Sequence, residues 1–162
     1  MQYSISMMST IKFISKFSVY EFSKALAIAQ TKNIELVPSY AIGENWSELL
    51  SKKDNETINR IDKINSLYNV TSLQSLTYGL DISLCELLSE NKKWLHRIAS
   101  LGSLSKRLNI KNCVLGSPKQ KISRLGPQNN IDNIDKLNYL NNIIQMSSYL
   151  PNNTFLSLEH NT

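Results

Sequence analysis

The chain has 162 residues and a formal net charge of +5, and this length suits one ordinary domain. Hydrophobic residues make up 41% and charged residues 19%, which is typical of a globular protein and excludes a disordered chain. Lysines and arginines are scattered from Lys12 to Arg124 without a run of five or six, so the positive charge does not predict a nucleic-acid-binding patch.

No segment has the character of a signal peptide or a membrane span. The amino-terminal stretch MQYSISMMSTIKFISKF lacks an apolar core and a small-residue cleavage site, and no run approaches the ~18 apolar residues of a span. Cys85 and Cys113 show neither a CxxC motif nor a metal-ligand spacing, which predicts buried, reduced thiols. We therefore expect a cytoplasmic protein without a membrane partner.

Short apolar runs alternate with longer helical patterns along the chain. The apolar runs predict strands at 3–8, 34–39, 70–79, 110–116 and 154–162. Pro38 ends the second strand, since proline cannot donate to a central ladder, and Gly79 closes the third.

The stretches between these strands have helical periodicity, at 18–32, 45–69, 91–109 and 133–150. The first begins with the capping-box sequence SVYE, and the second forms one helix or two. Its apolar stripe consists of Ile58, Ile61, Ile64 and Leu67. In the third helical stretch, the spacing of Trp94, Ile98 and Leu101 predicts a buried face. Gly102 in the same stretch is expected to allow a close approach of this helix to the sheet.

Strands that alternate with long helices predict right-handed βαβ units and a parallel sheet, either open and doubly wound or part of a barrel. Neither GxGxxG nor GxxxxGK[ST] occurs, so the sequence gives no support for nucleotide binding of those types.

Candidate chemistry lies at the carboxyl ends of the strands, where ligands of parallel α/β proteins gather. In the stretch GSPK, Gly116 lets the backbone turn or approach a ligand, Pro118 stiffens the turn, and Lys119 offers a cation to a phosphate or carboxylate. Glu159 follows the last strand, where a carboxylate can ligate a metal or act as a base. A solvated lysine and a solvated glutamate are the alternatives.

Several stretches together resemble the sugar phosphate isomerase/epimerase family of the xylose isomerase-like TIM barrel superfamily. They are IELVPSYAIGENW at 34–46, SLQSLTYG at 72–79, HRIASLGSLSKRLNIKNCVLGSPK at 96–119 and FLSLEHN at 155–161. The resemblance covers essentially the whole chain, in order. It implies one α/β domain over residues 1–162, a partial (β/α)8 barrel with about five parallel strands and four helical segments, truncated after strand 5.

The resemblance implies a divalent-metal enzyme, using Mn²⁺, Mg²⁺ or Zn²⁺, that moves a proton next to the carbonyl of a sugar or sugar phosphate. Of the family's four metal ligands, only the strand-5 glutamate has a counterpart here, so Glu159 becomes the candidate metal ligand and catalytic residue. The candidate substrate-binding residues are Lys119, Ser117, Gln74, Tyr78 and Trp46. For Trp46, packing is the alternative role.

Strands 6 to 8 and three metal ligands have no counterpart, so we expect this chain alone to be inactive and poorly stable or self-associating. One alternative is a non-catalytic barrel fragment that binds a partner, forms a homo-oligomer or joins a missing C-terminal half. An apurinic-site endonuclease of the same superfamily is a weaker alternative. That activity needs early histidine ligands, and the predicted third and fourth strands end without histidine.

Overall fold

The computed structural model describes residues 5–6, 30–116 and 133–159, with the backbone alone at 5–6. Five strands form its sheet: β1 (Ile5–Ser6), β2 (Asn33–Leu36), β3 (Asn69–Gln74), β4 (Asn112–Leu115) and β5 (Phe155–Leu158). The helices of these residues are α1 (Pro38–Ala41), α2 (Trp46–Ser51), α3 (Asn55–Leu67), α4 (Lys92–Arg107) and α5 (Asn133–Tyr149). The predicted α/β class is confirmed. The helix predicted at 18–32 lies outside the described residues, apart from 30–32, which are not helical.

The strands lie in the sheet in the order β1-β2-β3-β4-β5, and every neighbouring pair is parallel. Neighbours in space are thus neighbours in the chain, and the described sheet has no reversal of strand order of the kind found in doubly wound sheets. Right-handed crossovers in such an order place the connecting helices on one face. The opposite face is left for the polar side chains described below.

The register of the strands places apolar side chains next to one another on the face of the sheet that the helices cover. Leu36 pairs with Leu73, Leu73 with Cys113, and Cys113 with Leu156. These residues pack in the hydrophobic core with Trp94 and other residues of the helices. The core therefore lies between the sheet and one layer of helices.

Side-chain hydrogen bonds join neighbouring helices of this layer. Ser100 Oγ on α4 donates to the Ser47 carbonyl on α2 over 2.6 Å. Trp94 Nε1 on α4 donates to Gln145 Oε1 on α5 over 2.7 Å. Asn91 caps α4 by accepting from the backbone N–H of Trp94, which satisfies one donor of the first helical turn. The predicted inward face of α4 is confirmed, since Trp94, Ile98 and Leu101 are fully buried.

The end of one strand and the burial of one residue differ from the sequence-based expectation. The third strand ends at Gln74 rather than near 79, because Ser75 has a φ of 52° and leaves the extended conformation. Tyr78 therefore lies in a turn after β3. Leu67, which was expected in the buried stripe, is 45% exposed at the last residue of α3, whereas Ile61 of that stripe is fully buried.

Gly102 allows a close approach, but to another helix rather than to the sheet. A Cβ placed on Gly102 would overlap the backbone carbonyl oxygen of Tyr149 and lie 3.1 Å from its carbonyl carbon. Tyr149 is the last residue of α5. The glycine thus lets the end of α5 lie directly against α4.

Candidate functional site

The sheet face opposite the hydrophobic core carries four polar side chains, three of them toward the carboxyl ends of their strands and one, Asn112, at the start of β4. Alternation along the strands places Glu35, Gln74, Asn112 and Ser157 on this face. Gln74 Nε2 donates to Glu35 Oε2 over 2.5 Å, and Ser157 Oγ donates to Asn112 Oδ1 over 2.6 Å. Each bond joins neighbouring strands, so the face presents paired hydrogen-bonding groups.

Glu159 lies immediately after β5 and next to the carboxyl end of β4. Its backbone N–H donates to the Leu115 carbonyl over 3.2 Å, which continues the parallel ladder by one residue. A Cβ placed on Gly116 would overlap the Glu159 carboxylate and lie 3.1 Å from its Cδ. Gly116 therefore leaves the space that this carboxylate occupies. The group that approaches Gly116 closely is thus the Glu159 side chain of the protein itself. Glu159 is nevertheless exposed at the surface.

Two tyrosines lie together after β2 and β3. The rings of Tyr40 and Tyr78 have centroids 5.1 Å apart and are tilted by 60°. Partial burial, followed by a hydrogen bond to Tyr78, raises the pKa of Tyr40 to about 12. Tyr40 therefore keeps its proton at neutral pH and can act there as a hydrogen-bonding group but not as a base. Tyr78 is 39% exposed, so it is open to a ligand.

Arg97 stabilises the turn after β3 through hydrogen bonds to the backbone of that turn. Its guanidinium Nη1 donates to the carbonyls of Leu76 and Tyr78 over 3.2 and 3.0 Å, and its Cζ lies 4.9 Å from the centroid of the Trp46 ring. The residue is only 3% exposed, and this burial lowers the pKa of Arg97 to about 10. The group nevertheless stays charged at neutral pH, and it holds the backbone that carries Tyr78.

The predicted site residues lie in different surroundings. Gln74 and Tyr78 lie at and just beyond the carboxyl end of β3, and Glu159 follows β5. Trp46 is fully buried, so the structure places it in the packing role, against Arg97, rather than on an open surface. Ser117 and Lys119 lie outside the described residues.

The described residues do not make a complete metal centre. Among residues 30–116 and 133–159, no group of three or more histidine, cysteine, aspartate or glutamate side chains is placed to hold a metal ion. Both cysteines are buried thiols outside any disulfide, and burial raises the pKa of each thiol, which favours the protonated form at neutral pH.

A cavity of about 530 Å³ lies at the opposite edge of the sheet. Its lining includes Gly102, Lys106, Asn109 and Tyr149, together with Pro151. Asn109 precedes β4 and Pro151 precedes β5, so the cavity is at the amino ends of these strands. We place the candidate site at the carboxyl edge instead, since the Gln74–Glu35 pair and the Glu159 carboxylate lie there.

Three residues of the site region were not identified from the sequence. Glu35 alternates with Ile34 and Leu36, and this pattern already indicates that its side chain leaves the core face. Arg97 follows Trp94 by three residues, which is the spacing of one helix face. Tyr40 directly follows the predicted second strand, but its contact with Tyr78 could not be predicted, because a short helix that begins at Pro38 brings the two rings together.

Comparisons with known protein families, curated proteins and solved structures found no match to this chain. Within the part of the chain that the structure describes, no helix is both long and apolar enough to cross a membrane.

Proposed function

We propose that the carboxyl edge of this sheet binds a small sugar or sugar phosphate and contributes to an isomerase or epimerase of the (β/α) barrel type. The observation that carries the proposal is the position of Glu159, whose carboxylate is exposed at a strand end and lies over Gly116. The sequential parallel order of the strands supports a barrel, since barrels share this order.

The chemistry of the class suits these side chains. Isomerisation and epimerisation begin when a base takes the proton from the carbon next to a carbonyl, and they end when a proton is returned to carbon. In our proposal Glu159 is that base. The Gln74–Glu35 and Ser157–Asn112 pairs offer donors and acceptors to sugar hydroxyls, and Tyr78 offers a further hydroxyl.

The family's divalent metal needs donors beyond the described residues, because these hold no cluster of three ligands. We therefore assign Glu159 to proton transfer and derive no step through Mn²⁺, Mg²⁺ or Zn²⁺. Lys119 and Ser117 remain predicted phosphate and substrate contacts.

A second candidate function is a partner-binding module without catalysis. The observation that favours it is a row of exposed apolar residues on α5, which the carboxyl-edge site does not use.

Calorimetric titration with ribulose 5-phosphate tests the proposed site. We expect the wild-type chain to bind this ketose phosphate and Glu159→Gln to bind at least ~10-fold more weakly, because a charge-assisted hydrogen bond is lost. Glu90→Gln is the matched control, since Glu90 is an exposed glutamate in the segment between β3 and α4. Equal affinity of the wild type and Glu159→Gln would contradict the proposal.

A further inference from the structure

The outward face of α5 is apolar. Ile134, Leu137, Leu140 and Ile144 are 65%, 58%, 55% and 62% exposed, and we call these four residues the α5 stripe. Their spacing of three and four residues places them along one side of the helix. Surface helices of ordinary globular proteins carry polar side chains on that side.

The opposite side of α5 is already engaged with the core. Asn142 and Met146 are buried, and the Asn142 side chain donates to the carbonyls of Leu84 and Glu86 over 2.9 and 2.8 Å. Tyr139 and Ile143 pack partly buried against the core. The helix is therefore fixed in rotation, and the α5 stripe cannot turn inward.

We propose that the α5 stripe is the centre of an interface with a second copy of this chain, in which two α5 helices pack antiparallel about a twofold axis. The order of the stripe is Ile, Leu, Leu, Ile, and it reads the same in both directions. A twofold axis between Leu137 and Leu140 places Leu137 opposite Leu140, and Ile134 then lies within one residue of the position opposite Ile144. Such self-complementarity is what an isologous interface requires.

The charge and size of the α5 stripe are compatible with a second copy of the chain. None of its four side chains is charged, so two copies meet there without an unpaired buried charge, although each chain has a net charge of +5. The stripe offers a few hundred Å² of apolar surface, and an ordinary dimer buries about 800 Å² per partner, of which the centre is the most apolar part. Asn141 lies on the same side of the helix as the stripe, and the exposed Lys136 and Ser147 border it.

Sedimentation velocity over a range of protein concentrations tests this interface. We expect a monomer–dimer equilibrium whose dissociation constant does not rise with added salt, because the contact is apolar. Leu140→Glu should raise the dissociation constant at least ~10-fold, since it buries a charge at the centre of the interface. Leu67→Glu is the control, because Leu67 is an exposed leucine on α3 with 45% exposure.

A second variant keeps the proposal testable if Leu140→Glu fails to fold, as judged by circular dichroism. Leu140 lies beside the twofold axis, so Leu140→Cys should form a disulfide-linked dimer under mild oxidation, whereas Leu67→Cys should not. Monomer at every concentration, a dimer unaffected by Leu140→Glu, or open-ended growth beyond the dimer would overturn the proposal. The α5 stripe shares no residue with the carboxyl-edge site, so failure of sugar binding leaves this test unaffected.

Discussion

Gly116 and Glu159 form a pair in which the absence of one side chain makes room for another. The group that a Cβ at Gly116 would meet first is the carboxylate end of Glu159, and this end of the side chain can rotate away. The space over Gly116 therefore determines the position of the carboxylate and contributes little to the stability of the fold.

We accordingly expect Gly116→Ala to change the free energy of unfolding by less than ~0.5 kcal/mol and to weaken ribulose 5-phosphate binding, because the methyl group displaces the carboxylate. Urea unfolding and calorimetry measure the two effects separately. An alanine variant with undiminished affinity would show that the position of Glu159 over Gly116 is irrelevant to the ligand.

Arg97 is the residue whose removal should affect the turn after β3 most. Arg97→Met removes the Arg97 hydrogen bonds to the Leu76 and Tyr78 carbonyls, although the Tyr78 carbonyl keeps a weaker one from Ser39 Oγ at 3.4 Å. The loss is offset in part because a charge no longer has to be buried. We expect a net loss of about 1–3 kcal/mol in the free energy of unfolding. Arg107→Met, at an exposed ion pair with Asp62, is the control for urea unfolding and should have a much smaller effect. Equal losses would contradict the role given to Arg97.

Among the helices, Gly102 fixes how closely α4 and α5 approach each other. The Cβ of an alanine here would meet the backbone carbonyl of Tyr149, which cannot rotate away as a side chain does. We expect Gly102→Ala to lower the free energy of unfolding by about 1–3 kcal/mol, although alanine is the better helix former.

Ser103→Ala is the matched control for Gly102→Ala in the same thermal or urea unfolding series. Ser103 is the next residue of α4 and is exposed, so its replacement should leave the stability nearly unchanged or slightly raise it. A stabilised Gly102→Ala variant would show that the Tyr149 carbonyl does not lie against Gly102.

Apolar periodicity predicted the helices better than the ends of the strands. The inward face of α4 could be predicted because Trp94, Ile98 and Leu101 recur at helical spacing. The end of β3 could not be predicted in this way. Ser75 has a left-handed backbone conformation, for which serine has no local preference. That conformation belongs to the turn to which Arg97 donates hydrogen bonds.

At the scale of the whole molecule, alternating strands and helices predicted a parallel sheet, but not whether its strand order reverses. Both doubly wound sheets and barrels are built from βαβ units, so periodicity does not separate them. The β1-β2-β3-β4-β5 order shows no reversal among the described strands. The site was predicted in part. Glu159 and Gln74 could be identified from their positions at strand ends, whereas the Tyr40–Tyr78 contact depends on tertiary packing.

The two ends of the strands differ in chemistry, and we propose that the ligand binds at the carboxyl edge. The most direct measurement is an NMR titration of the ¹⁵N-labelled chain with ribulose 5-phosphate. We expect the amide shift changes to concentrate at Gln74, Gly116 and Glu159. Changes at Gly102 and Tyr149, which line the cavity at the amino edge, or no saturable changes at all, would contradict it.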